Sequence, residues 1–396
     1  MSTKASADHG SLLEQLGSGH PLAFLRNGDG IVGLGVALRL EFTGPHRIPD
    51  AAAAWQSLAD ESTVVDPVGL PGTGLVAFGS FAFAASSAAT SVLIVPSVIL
   101  GRRDGVSWVT RIGDAPPAQP LGEPFAASFA PGALDPDGYR SAVAAVVERI
   151  RAGEARKVVL ARDLVATATE PIDVRWPLTR LTETYPMCWI FHVDGMFGAT
   201  PEMLVRRERG LVTSRVLAGT IRRTGDDEHD LALAGQLARS SKDLEEHEYA
   251  VRSVAEALEP HCSSMNVPEA PFVLHLPNVM HLATDVAGVV HDAATVSSLE
   301  LVAALHPSAA VGGTPTAAAR ELISQIEGMD RGRYAGPVGW MDADGDGEWG
   351  IALRSAVIDG NTVRLFAGCG IVADSDPEAE LSETQGKFVP VRDALS

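Results

Sequence analysis

The chain has 396 residues, 46% of them hydrophobic, and a formal net charge of −19, which allows a sizeable core and excludes a disordered chain. So acidic a surface repels phosphate backbones, which argues against nucleic acid and leaves any anionic substrate in need of placed Arg, Lys or a cation. The three cysteines, Cys188, Cys262 and Cys369, are odd in number and lack metal-ligand spacing, so a reduced, cytoplasmic protein without disulfides is expected.

Residues 1–20 lack the apolar stretch of a signal peptide and read as a flexible N-terminal tail. From 21 to about 110 the pattern is strand-like, with apolar and β-branched residues alternating or running together in IVGLGVALRLEF, GLVAFGSFAF and TSVLIVPSVIL. The best apolar run, 91–100, is shorter than the roughly 18–20 residues a membrane-spanning helix needs, so no membrane association is expected. Residues 111–134 are rich in Pro, Ala and Gly and read as a linker or long surface connection.

A helix is expected at about 136–152, where Val143, Val146, Val147 and Ile150 share a face and Gly153 supplies the stop. A strand follows at 157–167 and a short helix at 176–184. Strands recur in MCWIFHVDG, MFGATPEMLVRRERG and LVTSRVLAGTIRR, and 230–259 reads as helical. Further strands are expected at 270–290, helices at 296–305 and 315–327, then strands in VGWMD, GEWGIALRSAVIDG and NTVRLFAGCGIV, and a helix after Asp376. Strands in runs mixed with helices imply an α+β fold with antiparallel sheets.

Two motif matches do not survive their context. Gly28-Asp29-Gly30-Ile31-Val32-Gly33 fits G-x-G-x-x-G, but a dinucleotide site needs a helix next, and a strand pattern follows, so a hairpin turn is expected. Asp342, Asp344, Asp346 and Gly347 open like a calcium loop, yet its twelfth position is Leu353 rather than Glu, which leaves a tight turn.

Two acidic pairs bear on chemistry. Asp243 and Glu246, and likewise Glu380 and Glu383, stand three apart on expected helices, which puts each pair on one face. Taken alone, each is more often a solvated helix face; brought together, the four carboxylates would suit Mg²⁺ with retained waters. Lys157 opens an apolar strand, where a lysine is usually a solvent-facing edge residue; buried instead, it could serve as a base. Glu202 follows Pro201 at a strand end, and reads either as a turn carboxylate or as a partly buried acid.

Over about 135–392 the chain resembles the chorismate-binding family of isochorismate, salicylate, anthranilate and aminodeoxychorismate synthases. The resemblance rests on RKVVLAR, GATPEMLV, LAGTIRR, SSKDLEEHE, HLAT, LHPSAAVGGTP, RGRYAGPVGW, ALRSAV, FAGCGIV and SETQGK, in that order. It implies one α+β domain over 21–396, with two large antiparallel sheets stacked as a sandwich and helices packed outside. Residues 21–134 would be its divergent N-terminal half and 135–392 its motif-bearing catalytic part.

By the same resemblance, Lys157 is the base that activates water at C2 of chorismate, and Glu202 the acid that protonates the departing C4 hydroxyl. Glu246 and Glu383 hold Mg²⁺, with Asp243 and Glu380 supporting through waters. Arg354 and Tyr334 bind the enolpyruvyl carboxylate; Lys387, Gly219, Thr220 and Gly368 line the pocket; and His281 lies near the ring. Lys157 favours water as nucleophile, since ammonia-using relatives lack it, and Ala310 stands where salicylate synthases carry Thr. The resemblance thus implies a magnesium-dependent isochorismate synthase serving menaquinone or siderophore synthesis, a monomer without an obligate protein partner. The alternatives are a salicylate synthase and an anthranilate or aminodeoxychorismate synthase large subunit. Gly312 and Thr314 depart from the commoner residues of the pocket segment, and Leu12-Leu13-Glu14-Gln15 lacks the Ser of a related inhibitor motif and reads as the start of a short helix.

Overall fold

In the computed structural model of the chain, the residues described are 1–17, 21–114, 120–122 and 125–396. Part of the Pro-, Ala- and Gly-rich connection expected at 111–134 therefore lies outside the described residues, as do residues 18–20. The fold is α+β. Among the described residues the strands form one antiparallel sheet of 12 strands and another of 10.

The first sheet is buried on both faces along much of its length, and its sequence shows why. In Leu22–Arg26 the side chain of Phe24 enters the core shared by the two sheets, while Ala23 and Leu25 enter a second core. Phe191 and Ile190 divide in the same way on the neighbouring strand Trp189–Val193. Alternating side chains that are apolar on both faces produce continuous rather than alternating hydrophobic runs. The shared core also takes Phe78, Val205 and Trp349 from the second sheet, so the two sheets stack as a sandwich. The outer core is closed by Leu178 and Leu181 of helix Arg175–Thr184 and by Phe388 and Val391 of helix Pro377–Ala394.

Several elements differ from the sequence expectation, among them the strand Ala127–Pro131, which pairs with Leu164 to Ala168 inside the connection expected at 111–134. Residues 47–61, inside the strand-like region, form the helix Arg47–Glu61. Ile48, Ala51 and Trp55 share its buried face, and its run of alanines is the best intrinsic helix former. The expected tail is docked over residues 1–17. Ser2–Ser6 pairs with Val106–Arg111, Thr3 Oγ1 meets Thr110 Oγ1 at 2.8 Å, and Leu12, Leu13 and Leu16 are buried. The helical stretch 230–259 is two helices, Asp227–Leu237 and Ser241–Leu258. The break falls at Ser240, whose hydroxyl accepts from the Asp243 N–H at 3.3 Å and caps the second helix.

Both rejected motifs are turns. Asn27 and Gly28, with φ of 51° and 82°, join Leu22–Arg26 to Asp29–Leu34 as a two-residue hairpin. Asp342 Oδ1 accepts from the N–H groups of Asp344 and Asp346, each at 3.0 Å, and tightens the turn between Pro337–Asp342 and Gly347–Ile351.

Candidate active site

The long strand Lys157–Ala168 pairs with Thr362–Ile371 in the first sheet, and Leu211–Arg222 pairs with Val279–Val290 in the second. Helix Ser241–Leu258 packs against the latter pair, where His247 meets Thr284 Oγ1 at 2.7 Å. The close approach requires glycine: Gly219 has φ of 76°, and a Cβ there would come within 3.0 Å of the Asp243 side chain. Gly370 has the same function on the facing strand, since a Cβ would stand 2.6 Å from Glu246 Oε1 and 2.8 Å from Lys157 Cε.

Between these elements lies a cavity of about 280 Å³, close to the lower end of the roughly 300–1,000 Å³ of small-molecule sites. Every site residue singled out in the sequence lines it. Lys157 and Glu202 share its wall with the carboxylates of Asp243, Glu246, Glu380 and Glu383. Gly219, Thr220, His281, Tyr334 and Arg354 form another part, and Ala310, Gly368 and Lys387 complete the set.

Lys157 is only 2% exposed, and its Nζ lies 2.7 Å from Glu246 Oε1. The edge-strand reading of this lysine fails because the helix carrying Glu246 covers it. Glu202 is 4% exposed, and burial pushes its carboxyl up to about 7, against the opposing influence of the Leu217 backbone and of Lys157, Arg354 and Lys387. Lys387 Nζ sits 2.5 Å from Glu383 Oε1 and donates to the Gly368 carbonyl at 2.9 Å. Burial works against its charge, but Glu383 and its neighbours prevail and raise its pKa.

His281 is held neutral: burial first, then Arg354 and Lys387, push its pKa well below the ordinary imidazole value. Arg354 Nη2, which can only donate, lies 3.2 Å from His281 Nε2. The ring proton is therefore on Nδ1, facing the Gly219 carbonyl at 3.3 Å and Thr220 Oγ1 at 3.0 Å. Arg354 itself adopts φ of 47°, a left-handed conformation uncommon for a non-glycine residue and concentrated at functional sites. Tyr334 stacks on Phe366 with ring centroids 4.9 Å apart and planes 10° from parallel, which fixes its hydroxyl close to Gly368.

The acidic wall fits a hard divalent cation. Glu380 and Glu383 bring carboxylate oxygens within 4.8 Å of each other and of Cys369 Sγ. Burial raises the Cys369 pKa well above the ordinary thiol value, and its S–H donates to the Glu380 carbonyl at 3.4 Å, so the sulfur stays protonated and engaged. The ligand atoms left are oxygens, the donor set of Mg²⁺.

Sequence reasoning missed Arg331, which also lines the cavity, and its partner Glu327. The signal available was their spacing of four along the chain, together with the position of Arg331 at the head of RGRYAGPVGW.

Residues 115–396 match the family model described as chorismate binding enzyme. The chain is 38% identical over 266 residues to isochorismate synthase MenF of Bacillus subtilis, covering 66% of this chain and 56% of that protein. It is 41% identical over 265 residues to isochorismate synthase DhbC of the same organism, covering 64% of this chain and 66% of that one. In neither relative does the match reach two thirds of the length. The solved structure of MenF, the menaquinone-specific isochorismate synthase from Escherichia coli, superposes with a TM-score of 0.81 at 26% identity, covering 100% of this chain and 94% of that one.

Proposed function

The chain belongs to the chorismate-binding enzyme family, and from that premise we propose that it converts chorismate to isochorismate. The observation that carries this reading is the presence in one cavity of a buried lysine, Lys157, and a carboxyl poised at about 7, Glu202. In this reading water adds to C2 of the ring, its oxygen forming the new bond while its proton passes to Lys157 Nζ. The ring double bonds shift, the C4–O bond breaks, and Glu202 gives its proton to the departing oxygen, which leaves as water. Solvent then returns a proton to Glu202 and takes one from Lys157. General acid and base contributions of this kind are each worth about 10²–10⁴ in rate.

To accept a proton, Nζ must be the free amine, so Glu246 cannot then be paired with an ammonium. Arg354 and Tyr334 offer a cation and a hydroxyl to the enolpyruvyl carboxylate, and Lys387 offers a second cation. Neutral His281, whose Nε2 accepts from Arg354, orients that guanidinium without adding charge of its own. Glu246, Glu383, Asp243 and Glu380 would hold Mg²⁺, which would supply positive charge for the substrate's ring carboxylate. Magnesium dependence, a monomeric state and cytoplasmic residence belong to the same proposal. The three cysteines are free, and among the described residues no helix is long and apolar enough to cross a membrane.

The test is the product spectrum from chorismate with and without Mg²⁺, read by chromatography. Isochorismate appearing only with the metal supports the reading. Salicylate with equimolar pyruvate would assign a synthase–lyase instead, and a product that requires ammonia would assign an amine-transferring relative.

A further inference from the structure

Strand Lys157–Ala168 has one fully paired edge, against Thr362–Ile371 from Val158 to Thr167. Its other edge is paired by short strands only at the two ends, Lys157 and Val158 with Gly313–Thr314 and Leu164 to Ala168 with Ala127–Pro131. The outward backbone groups between them still need partners. A buried ion pair meets part of that need. Glu327 Oε1 accepts from the Ala161 N–H at 2.7 Å, and Arg331 Nη2 donates to the Val159 carbonyl at 2.7 Å. Arg331 Nη1 reaches across to the Val311 carbonyl at 3.0 Å, next to Ala310, while Nε and Nη2 bind the Glu327 carboxylate at 2.9 and 2.5 Å. Phe83 closes the guanidinium from one face at 4.4 Å.

We infer that the Glu327–Arg331 pair is a positioning device for the base, standing in for a missing strand and fixing Lys157 relative to the segment that carries Ala310. The inference rests on the proposed function for what Lys157 does. A buried ion pair is a poor source of net stability, because desolvation offsets its attraction. Its use here is geometric. The planar guanidinium satisfies two carbonyls and one carboxylate at fixed angles, which a hydrophobic pair could not do. Lys157 and Val159 point to the same side of their strand, so a displacement of the Val159 backbone moves Nζ in the cavity. A misplacement of about 1 Å costs about 10²-fold in a positioned reaction.

The experiment compares Arg331→Lys, Arg331→Met and Glu327→Gln with the parent chain. Steady-state kinetics with chorismate and hydrogen exchange by mass spectrometry are measured on each variant that keeps the parent near-ultraviolet circular dichroism. Arg331→Lys retains the charge but cannot reach both carbonyls at once. The expected result is a fall in kcat of about 10–100-fold, with KM for chorismate changed less than about threefold. Exchange should rise in segments 157–163 and 308–313 and not elsewhere. Unchanged kcat in a folded variant overturns the inference, as does exchange that rises evenly across the chain. Failure of all three variants to fold would assign the pair to stability alone and also overturn it. A parent chain that turns over no chorismate sinks the proposed function instead, and the exchange pattern still decides the positioning claim.

Discussion

Glu202 stands in the short crossing between Met196–Thr200 of the first sheet and Met203–Glu208 of the second, and from there it lines the same cavity as Lys157, which opens a strand of the first sheet. Glu202 therefore sits where the chain changes sheets, and its N–H is tied to Thr200 Oγ1 at 3.2 Å. Lys157 is held separately, at the start of strand Lys157–Ala168. Each side chain can approach a bound ring without sharing a backbone segment with the other.

Lys157→Gln removes the proposed base while keeping a polar chain of similar length. The proposed role acts in the transition state, so turnover should fall by about 10²–10⁴-fold, while equilibrium binding of chorismate stays within about threefold. Binding titrated by fluorescence beside single-turnover kinetics checks this. An equal loss in both would move Lys157 from base to substrate anchor.

Glu202 carries a pH signature of definite sign. Its carboxyl is raised by burial to about 7 in the fold, against an ordinary value of 4.5. Below the ordinary value both the folded and unfolded states are protonated and the group costs nothing. Between the two values the unfolded state ionises first, so rising pH erodes stability, and the cost of about 3 kcal/mol is complete above 7. Glu202→Gln removes this dependence. Urea unfolding at pH 5 and pH 8 should show the variant gaining on the parent as pH rises. The parent's kcat should decline above about pH 7, as the acid form is lost, and that limb should vanish in the variant.

Much of the site was legible because its chemistry is carried by residues in local motifs. Asp243 and Glu246 share a helix face by spacing alone, and Glu380 and Glu383 do likewise. That the two pairs line one cavity is a tertiary fact, and Gly219 and Gly370, whose missing Cβ atoms admit Asp243 and Glu246, let the first of the two helices close on it. The burial of Lys157 was equally hidden, since a lysine at a strand start reads as exposed until a helix covers it. The N-terminal half was the less legible part. Helix Arg47–Glu61 follows a strand-like run and lacks a side-chain cap to mark its start, and the polar strand Ser2–Ser6 has no hydrophobic signature. The Glu327–Arg331 pair had a helical spacing but gave no hint that it completes a strand edge.

Helix Arg47–Glu61 makes a stability prediction separate from the chemistry. Trp55 is buried and donates from its indole to the Asp342 carbonyl at 3.0 Å, tying the helix to the turn after Pro337–Asp342. Trp55→Ala leaves a cavity and an unsatisfied carbonyl, so a loss of about 3–5 kcal/mol is expected in denaturant unfolding. A loss below about 1 kcal/mol would show that the site collapses around the smaller residue.

Glu246 joins the two halves of the proposed site, because the carboxylate that pairs with Lys157 also faces the acidic wall. Glu246→Gln removes one charge from the oxygen set offered to the cation. The Mg²⁺ concentration for half-maximal turnover should rise by at least about tenfold, and calorimetric titration of Mg²⁺ without chorismate should show the same weakening. Glu383→Gln should behave alike, since its carboxylate lies in the same wall beside Lys387. If Glu246→Gln left both titrations unchanged while still lowering kcat, Glu246 would act on Lys157 alone, and the cation would have to be assigned to Glu380 and Glu383.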